Sequence, residues 1–260
     1  VYTAILDNLD HIEQQHQVRI LYAVESGSRA WGFASRDSDY DVRFIYVHSL
    51  DWYLSIRDKR DVIERPISDL LDISGWELRK ALSLFRKSNP PLLEWLNSPI
   101  IYLERTRALE AMRGLLVAHF SPRRCMLHYL HMAKGNYREY LKGDTVRLKK
   151  YFYVLRPVFA CMWIERHNSM PPTEFNRLLA DLQLEQELIE EVQLLLRRKM
   201  AGEELDMGVK VPTINDFLEQ QISHYSGYVE GMAQTEIDEM LLDNLFRETL
   251  SETWNTTWKP

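Results

Sequence analysis

Cysteine is scarce in this chain: Cys125 and Cys161 are the only two among 260 residues. Both lie in apolar stretches of helical period, which excludes a disulfide framework or a thiolate metal set and predicts buried thiols. No apolar run approaches the roughly twenty residues that a membrane helix needs. The first residues lack the apolar core of a secretory leader. No membrane partner is therefore expected, and a cytoplasmic location is the default. Internal repeats and low-complexity tracts are also absent, which excludes a repeat array.

What is present is the composition of a soluble globular protein, 45% hydrophobic and 27% charged, with length enough for one large domain or two small ones. The formal charge of −6 hides an uneven distribution. Residues 1 to 120 sum to −2, residues 121 to 166 to +7 and residues 173 to 252 to −12. The basic stretch either steers phosphates toward a site or pairs with the acidic C-terminal third inside the fold.

Periodicity organises the chain into an α+β protein, a small mixed sheet with helices on one side followed by almost entirely helical text. Ile5, Leu9 and Ile12 mark a helix over residues 3 to 15. Two apolar runs, ending at Glu25 and beginning at Asp39, read as strands, and two short strands follow around residues 62 to 67 and 70 to 74. Ser74 with Glu77 three residues on forms a capping-box pattern for a helix reaching Arg86. Helices are expected at 106–118, 122–141, 145–167, 173–181, 184–200, 213–228 and 234–250. The domain division that follows is 1–118 and 119–260.

Chemistry concentrates where ten residues separate Gly27-Ser28 from Asp39-Tyr40-Asp41. Side chains alternate along a strand, so Asp39 and Asp41 share a face while Tyr40 and Val42 take the other. Two carboxylates aimed at one spot are stable only with a cation between them or with one of them protonated. Oxygen-only ligands suit Mg²⁺ or Mn²⁺. The connection from Gly27 is too short for a crossover helix, so the two strands should be antiparallel neighbours, with the Gly-Ser turn beside the carboxylates. A glycine admits close approach and a serine adds a hydroxyl, a pair suited to phosphate. The bland alternative is a solvated hairpin with turn aspartates. Arg43 shares the aspartates' face and would neutralise them where no metal is bound.

Gly27-Ser28 with Asp39-Tyr40-Asp41 resembles the signature of the DNA polymerase β-like nucleotidyltransferase superfamily. The wider text, Glu25-Ser26-Gly27-Ser28-Arg29-Ala30-Trp31-Gly32-Phe33 and Asp37-Ser38-Asp39-Tyr40-Asp41-Val42-Arg43, is similar to its branch of predicted nucleotidyltransferases associated with RNA-repair ligases. Gly75-Trp76-Glu77-Leu78-Arg79-Lys80 and Lys149-Lys150-Tyr151-Phe152-Tyr153-Val154-Leu155-Arg156-Pro157 agree with that branch. The likeness covers roughly residues 15 to 170. It implies a two-domain protein that moves a nucleoside monophosphate from a nucleoside triphosphate to a hydroxyl, with RNA as the expected acceptor and a protein hydroxyl, or nucleotide binding without catalysis, as alternatives.

Such chemistry needs a third carboxylate. Asp72, at the end of an apolar strand and ahead of the Gly-Trp stretch, is the candidate, with Glu64 and Asp69 as substitutes. Asp39, Asp41 and Asp72 are then the metal ligands and catalytic residues, and Gly27 and Ser28 bind the leaving phosphates. Lys149, Tyr153 and Arg156 fall at i, i+4 and i+7 of the predicted 145–167 helix, a face that could grip a triphosphate and stack a base, or be an ordinary salt-bridged face.

Overall fold

A computed structural model describes residues 1–67, 70–203, 205–233, 235 and 237–255. In chain order the first elements are α1 (Tyr2–His16), β1 (Arg19–Glu25), α2 (Gly27–Ala30), β2 (Tyr40–Val47), α3 (Leu50–Tyr53), β3 (Val62–Glu64) and β4 (Leu71–Glu77). Then come α4 (Leu78–Arg86), α5 (Pro90–Leu96), β5 (Ile101–Glu104), α6 (Ala108–His119) and α7 (Pro122–Tyr140). The rest are β6 (Thr145–Arg147), α8 (Tyr151–His167), α9 (Phe175–Asp181), α10 (Gln186–Met200), β7 (Met207–Val209), α11 (Pro212–Tyr228) and α12 (Glu239–Trp254). The protein is α+β, as its sequence pattern indicates.

Two compact units divide the chain. The first holds residues 1–30, 39–120 and the C-terminal stretch with α12; the second holds residues 31–38 and 121–235. The sequence-based split at 118 and 119 therefore needs two changes. Residues 31–38 join the second unit because Phe33 is buried in its core, with its ring centroid 5.0 Å from that of Phe152 and 5.6 Å from that of Phe175. The α12 helix joins the first because Leu242, Leu245 and Leu250 are buried there, where α12 packs on α4 and α6, and Trp254 Nε1 donates to the His48 carbonyl at 2.8 Å. Neither is legible from composition, since an apolar stripe shows which residues are buried and not what buries them.

The first unit is built on a five-stranded mixed sheet of order β3-β4-β2-β1-β5. The β1–β2 pair is antiparallel, as the short connection requires, and β2–β4 is parallel. Ile5, Leu9 and Ile12 of α1 pack with Val42, Phe44 and Ile73 on one face. On the other face Tyr22 donates to the Trp95 carbonyl of α5 at 2.9 Å and Trp76 stacks on Trp95 at 3.8 Å. Helices therefore cover both faces, not one. Gly75 lets the strands close up, because a Cβ there would lie 2.2 Å from the Phe44 ring. Strand β4 also runs on through Ser74 to Glu77, in register with Arg43 to Tyr46 of β2. Ser74 is thus a strand residue, and Glu77 itself caps α4, its carboxylate accepting from the N–H groups of Arg79 and Lys80 at 2.8 and 3.3 Å.

The second unit is helical apart from the β6–β7 ladder. Its core gathers Phe152, Leu155 and Phe159 of α8 around Phe33 and Phe175. The predicted 145–167 helix is shorter than its apolar period suggests. Residues 145–147 pair with 207–209, and residues 148–150 form a single tight turn before α8 begins.

Candidate active site

Strand register brings the two carboxylates that matter most side by side. Asp41 of β2 is the direct partner of Asp72 of β4. Between them lies Arg43: its Nη2 donates to Asp41 Oδ1 at 3.0 Å and to Asp72 Oδ2 at 2.7 Å, and its Nη1 donates to the Asp72 and Val42 carbonyls. Arg43 and Asp41 share a face because they are two residues apart on one strand. Asp39 lies just before β2 and is exposed. Arg29 donates to its carbonyl at 3.1 Å and lays its guanidinium over the Tyr40 ring at 3.6 Å.

Gly27 opens α2 in the left-handed region, at φ +59°. A Cβ on it would sit 1.9 Å from Asp41 Oδ2. Any side chain there would strain the backbone and push the Asp41 carboxylate aside, so the Gly-Ser turn does stand against the aspartate. Ser28 follows as the second residue of α2, half-buried.

Glu25 touches the candidate site through Asp41, and pattern reading passed over it. It is fully buried at the end of β1; its Oε1 accepts from the Asp41 N–H at 2.8 Å and its Oε2 from the Tyr102 hydroxyl. Ser98 in turn donates to the Glu25 carbonyl at 2.6 Å. The signal was present as an acid closing the otherwise apolar run Ile20 to Val24.

Burial pushes the Asp41 carboxyl above the ordinary carboxylate range, Arg43 pulls it back, and Asp72 and Asp39 push it further up. Glu25 is raised likewise by burial, opposed by its hydrogen bonds from Tyr102 and the Asp41 backbone. Charge is thus confined here against its own repulsion, with a cation held where it is needed.

Among the described residues no three His, Cys, Asp or Glu side chains are gathered as a ready metal set. The donor chemistry nonetheless fits a hard divalent ion, since carboxylate oxygens are the available ligands. The Arg43 guanidinium, bridging Asp41 and Asp72, is a stand-in cation at the point where their oxygens converge. Of the substitutes for Asp72, Glu64 sits on the edge strand β3, opposite Ser74, paired with Arg60 at 2.5 Å, and Asp69 lies outside the described residues.

The Lys149, Tyr153 and Arg156 face is not formed as its spacing suggests. Lys149 precedes α8, in the tight turn. Arg156 is 2% exposed inside the second unit, its guanidinium 4.8 Å from the Trp31 ring and Nη2 donating to the Thr173 carbonyl at 3.3 Å. A register of four and seven residues holds only where the helix exists, and here it starts at Tyr151. Tyr153 remains exposed, edge-on to Trp31 at 5.8 Å, with Lys150 Nζ 4.6 Å from its ring and 4.4 Å from that of Tyr140. Burial and the neighbouring Lys149 lower the Lys150 pKa, with Arg147 adding to the effect.

Over residues 1–248 the sequence matches the family described as RlaP: RNA repair pathway DNA polymerase beta family. A protein of Bacillus subtilis (strain 168) that bears the name Uncharacterized protein YcgL is 51% identical over 251 residues, which is 96% of each chain. Among solved structures, a nucleotidyltransferase-like protein from Exiguobacterium sibiricum 255-15 aligns with 85% of this chain and 76% of its own length, at 14% identity and a TM-score of 0.33. No helix among the described residues is long and apolar enough to cross a membrane.

Proposed function

The chain belongs to the RNA repair pathway DNA polymerase beta family, and from that premise we propose that it moves a nucleoside monophosphate from a nucleoside triphosphate to the hydroxyl of an RNA end. Nucleotidyl transfer is the general chemistry that this family implies. The observation that carries the finer reading is the register pair Asp41 and Asp72, bridged by Arg43 and approached by Gly27.

In the proposed reaction the acceptor oxygen bonds to the α phosphorus and the bond from that phosphorus to the α–β bridging oxygen breaks. The electron pair leaves with pyrophosphate. Asp72, whose side chain is 32% exposed, takes the hydroxyl proton as general base. Asp39, Asp41 and Asp72 would hold Mg²⁺ or Mn²⁺. Bound there, the ion supplies charge neutralisation for the triphosphate and the reacting oxygens. Glu25 keeps Asp41 in place through the backbone N–H, and Gly27 and Ser28 offer a close backbone approach to the leaving phosphates. Arg43 balances Asp41 and Asp72 when no ion is present. Lys149 and Tyr153, with Arg147 and Lys150 beside them, are the proposed contacts of the second unit with nucleotide or RNA, through phosphate pairing and stacking. Arg156 supports that surface from beneath, by holding Trp31.

The test is incubation with each α-³²P-labelled nucleoside triphosphate, Mg²⁺ or Mn²⁺, and total cellular RNA and protein. We expect label on RNA and a loss of at least about a hundredfold in Asp41→Ala, the scale seen when one transition-state stabilising group is removed. Label on protein instead would replace the RNA acceptor by a protein hydroxyl, a reading that the overall acidic charge favours. An active Asp41→Ala variant, or no label with either ion, would remove the transferase reading.

A further inference from the structure

The first unit has a concave site toward the other end of the sheet from the carboxylates. Asp72 is the second residue of β4 and Glu77 the last, a separation of roughly 17 Å at about 3.3 Å per residue. Around Glu77, a cavity of about 530 Å³ opens between the α3 segment with its following loop and one face of α4, from Arg79 to the C-cap Lys87. Arg57, Lys59, Arg79, Lys80 and Lys87 line it, against Asp58, Asp61 and Glu77, with Trp52 and Tyr53 as aromatic walls.

Internal partners account for two of the three acids. Glu77 accepts from the Tyr53 hydroxyl at 2.6 Å and from two backbone N–H groups of α4, so the helix start is already capped from within. Asp61 accepts from Lys80 Nζ at 3.0 Å. What is left is a surplus of cations. Arg57 and Lys87 have no ion pair among the described residues, Lys59 donates to the Trp52 carbonyl at 3.2 Å with its Nζ 5.1 Å from that residue's ring, and Arg79 lies over the Tyr53 ring at 5.0 Å. His48 stacks on the indole of Trp52 at 4.0 Å, and burial, then Lys59, hold its pKa down to about 4, so it is neutral at pH 7.

Cations gathered in a concavity of an acidic protein repel one another until an anion joins them. The volume lies within the range of small-ligand sites, about 300–1,000 Å³, and the aromatic walls suit a flat heterocycle. We propose that this cavity binds a nucleotide, its phosphates held by Arg57, Lys59, Arg79 and Lys87 and its base against Trp52, as a site separate from the carboxylates. The inference is independent of the transfer reading, because it uses none of the catalytic residues.

Equilibrium dialysis of the full chain with ATP in EDTA tests it, since the chelator removes any binding that needs a metal at the carboxylates. The expected result is saturable binding that Asp39→Ala/Asp41→Ala leaves unchanged. Arg57→Ala/Lys87→Ala should weaken it at least about tenfold, the scale of losing charge-assisted phosphate contacts. Both altered side chains are exposed, and an unchanged thermal midpoint checks the fold. Trp52→Phe should weaken ATP but not inorganic triphosphate. Absence of binding, unchanged affinity in the Arg57/Lys87 variant, or loss of binding in the aspartate variant would overturn the proposal. So would a single-stranded RNA oligonucleotide that outcompetes ATP through the same two cations.

Discussion

At the scale of residues, the candidate site depends on atoms that are missing as much as on those present. Gly27 adopts a left-handed backbone and leaves the space in which Asp41 Oδ2 lies. In Gly27→Ala the strained backbone costs about 1 kcal/mol, and the added methyl displaces the Asp41 carboxylate. Transfer should fall as far as it does in Asp41→Ala while circular dichroism reports a folded protein. An active Gly27→Ala enzyme would mean that Asp41 does not need this orientation. Gly27, Ser28, Asp39 and Asp41 are readable from sequence because alternation and spacing are local properties. Arg43 beside Asp41 is readable in the same way, whereas Glu25 and the reach of Arg43 to Asp72 are harder to read. Their roles arise from partners 16 and 29 residues away, Asp41 and Asp72.

At the scale of elements, the β4–α4 junction shows how tertiary pairing overrides a local signal. Ser74 and Glu77 have the spacing of a capping box, yet parallel pairing with β2 carries the strand three residues further, and Glu77 becomes the cap. Burial pushes the Glu77 carboxyl above the ordinary carboxylate range, opposed by its hydrogen bond from Tyr53. The folded state therefore holds a proton at pH values where the unfolded chain has released it, and stability rises as pH falls through the folded value, levelling off below the ordinary one. Glu77→Gln removes that titration. Its thermal midpoint should gain less than the wild type's between neutral and mildly acidic pH, and identical pH profiles would show that Glu77 titrates alike in both states. The same override shortens the expected 145–167 helix, where β6 pairing with β7 claims residues 145–147.

For the whole molecule, chain order and compact unit do not coincide. The spacer between Ser28 and Asp39 contributes Phe33 to the helical unit, and the last helix returns to the sheet unit. A chain ended at residue 235 would lose the buried Leu242, Leu245 and Leu250, each worth about 1.5–3 kcal/mol. Hydrogen exchange should then quicken in α4 and α6, which α12 covers, with little change in the α8 core. Equal loss in both units would contradict the division. The basic stretch from 121 to 166 bears on the same scale. Lys134, Arg138, Lys142, Arg147, Lys149 and Lys150 show no ion pair with the acidic C-terminal third among the described residues. Arg166 of the same stretch does pair with Asp181, at 3.8 Å, so internal pairing accounts for only part of that charge.

By itself the sequence determined the α+β class, the antiparallel pairing of the first two strands, the approach of the glycine turn to Asp41, and the family. Each rests on local period, short connection or motif spacing, which survive without knowledge of distant partners. Only the tertiary structure decided that Asp72 stands beside Asp41, that Arg43 bridges them, that Glu25 supports the pair, and that Arg156 is buried. It also decided which unit claims the spacer and the last helix. Those outcomes depend on strand register and on which apolar faces meet, and both are set by contacts between residues far apart in the chain.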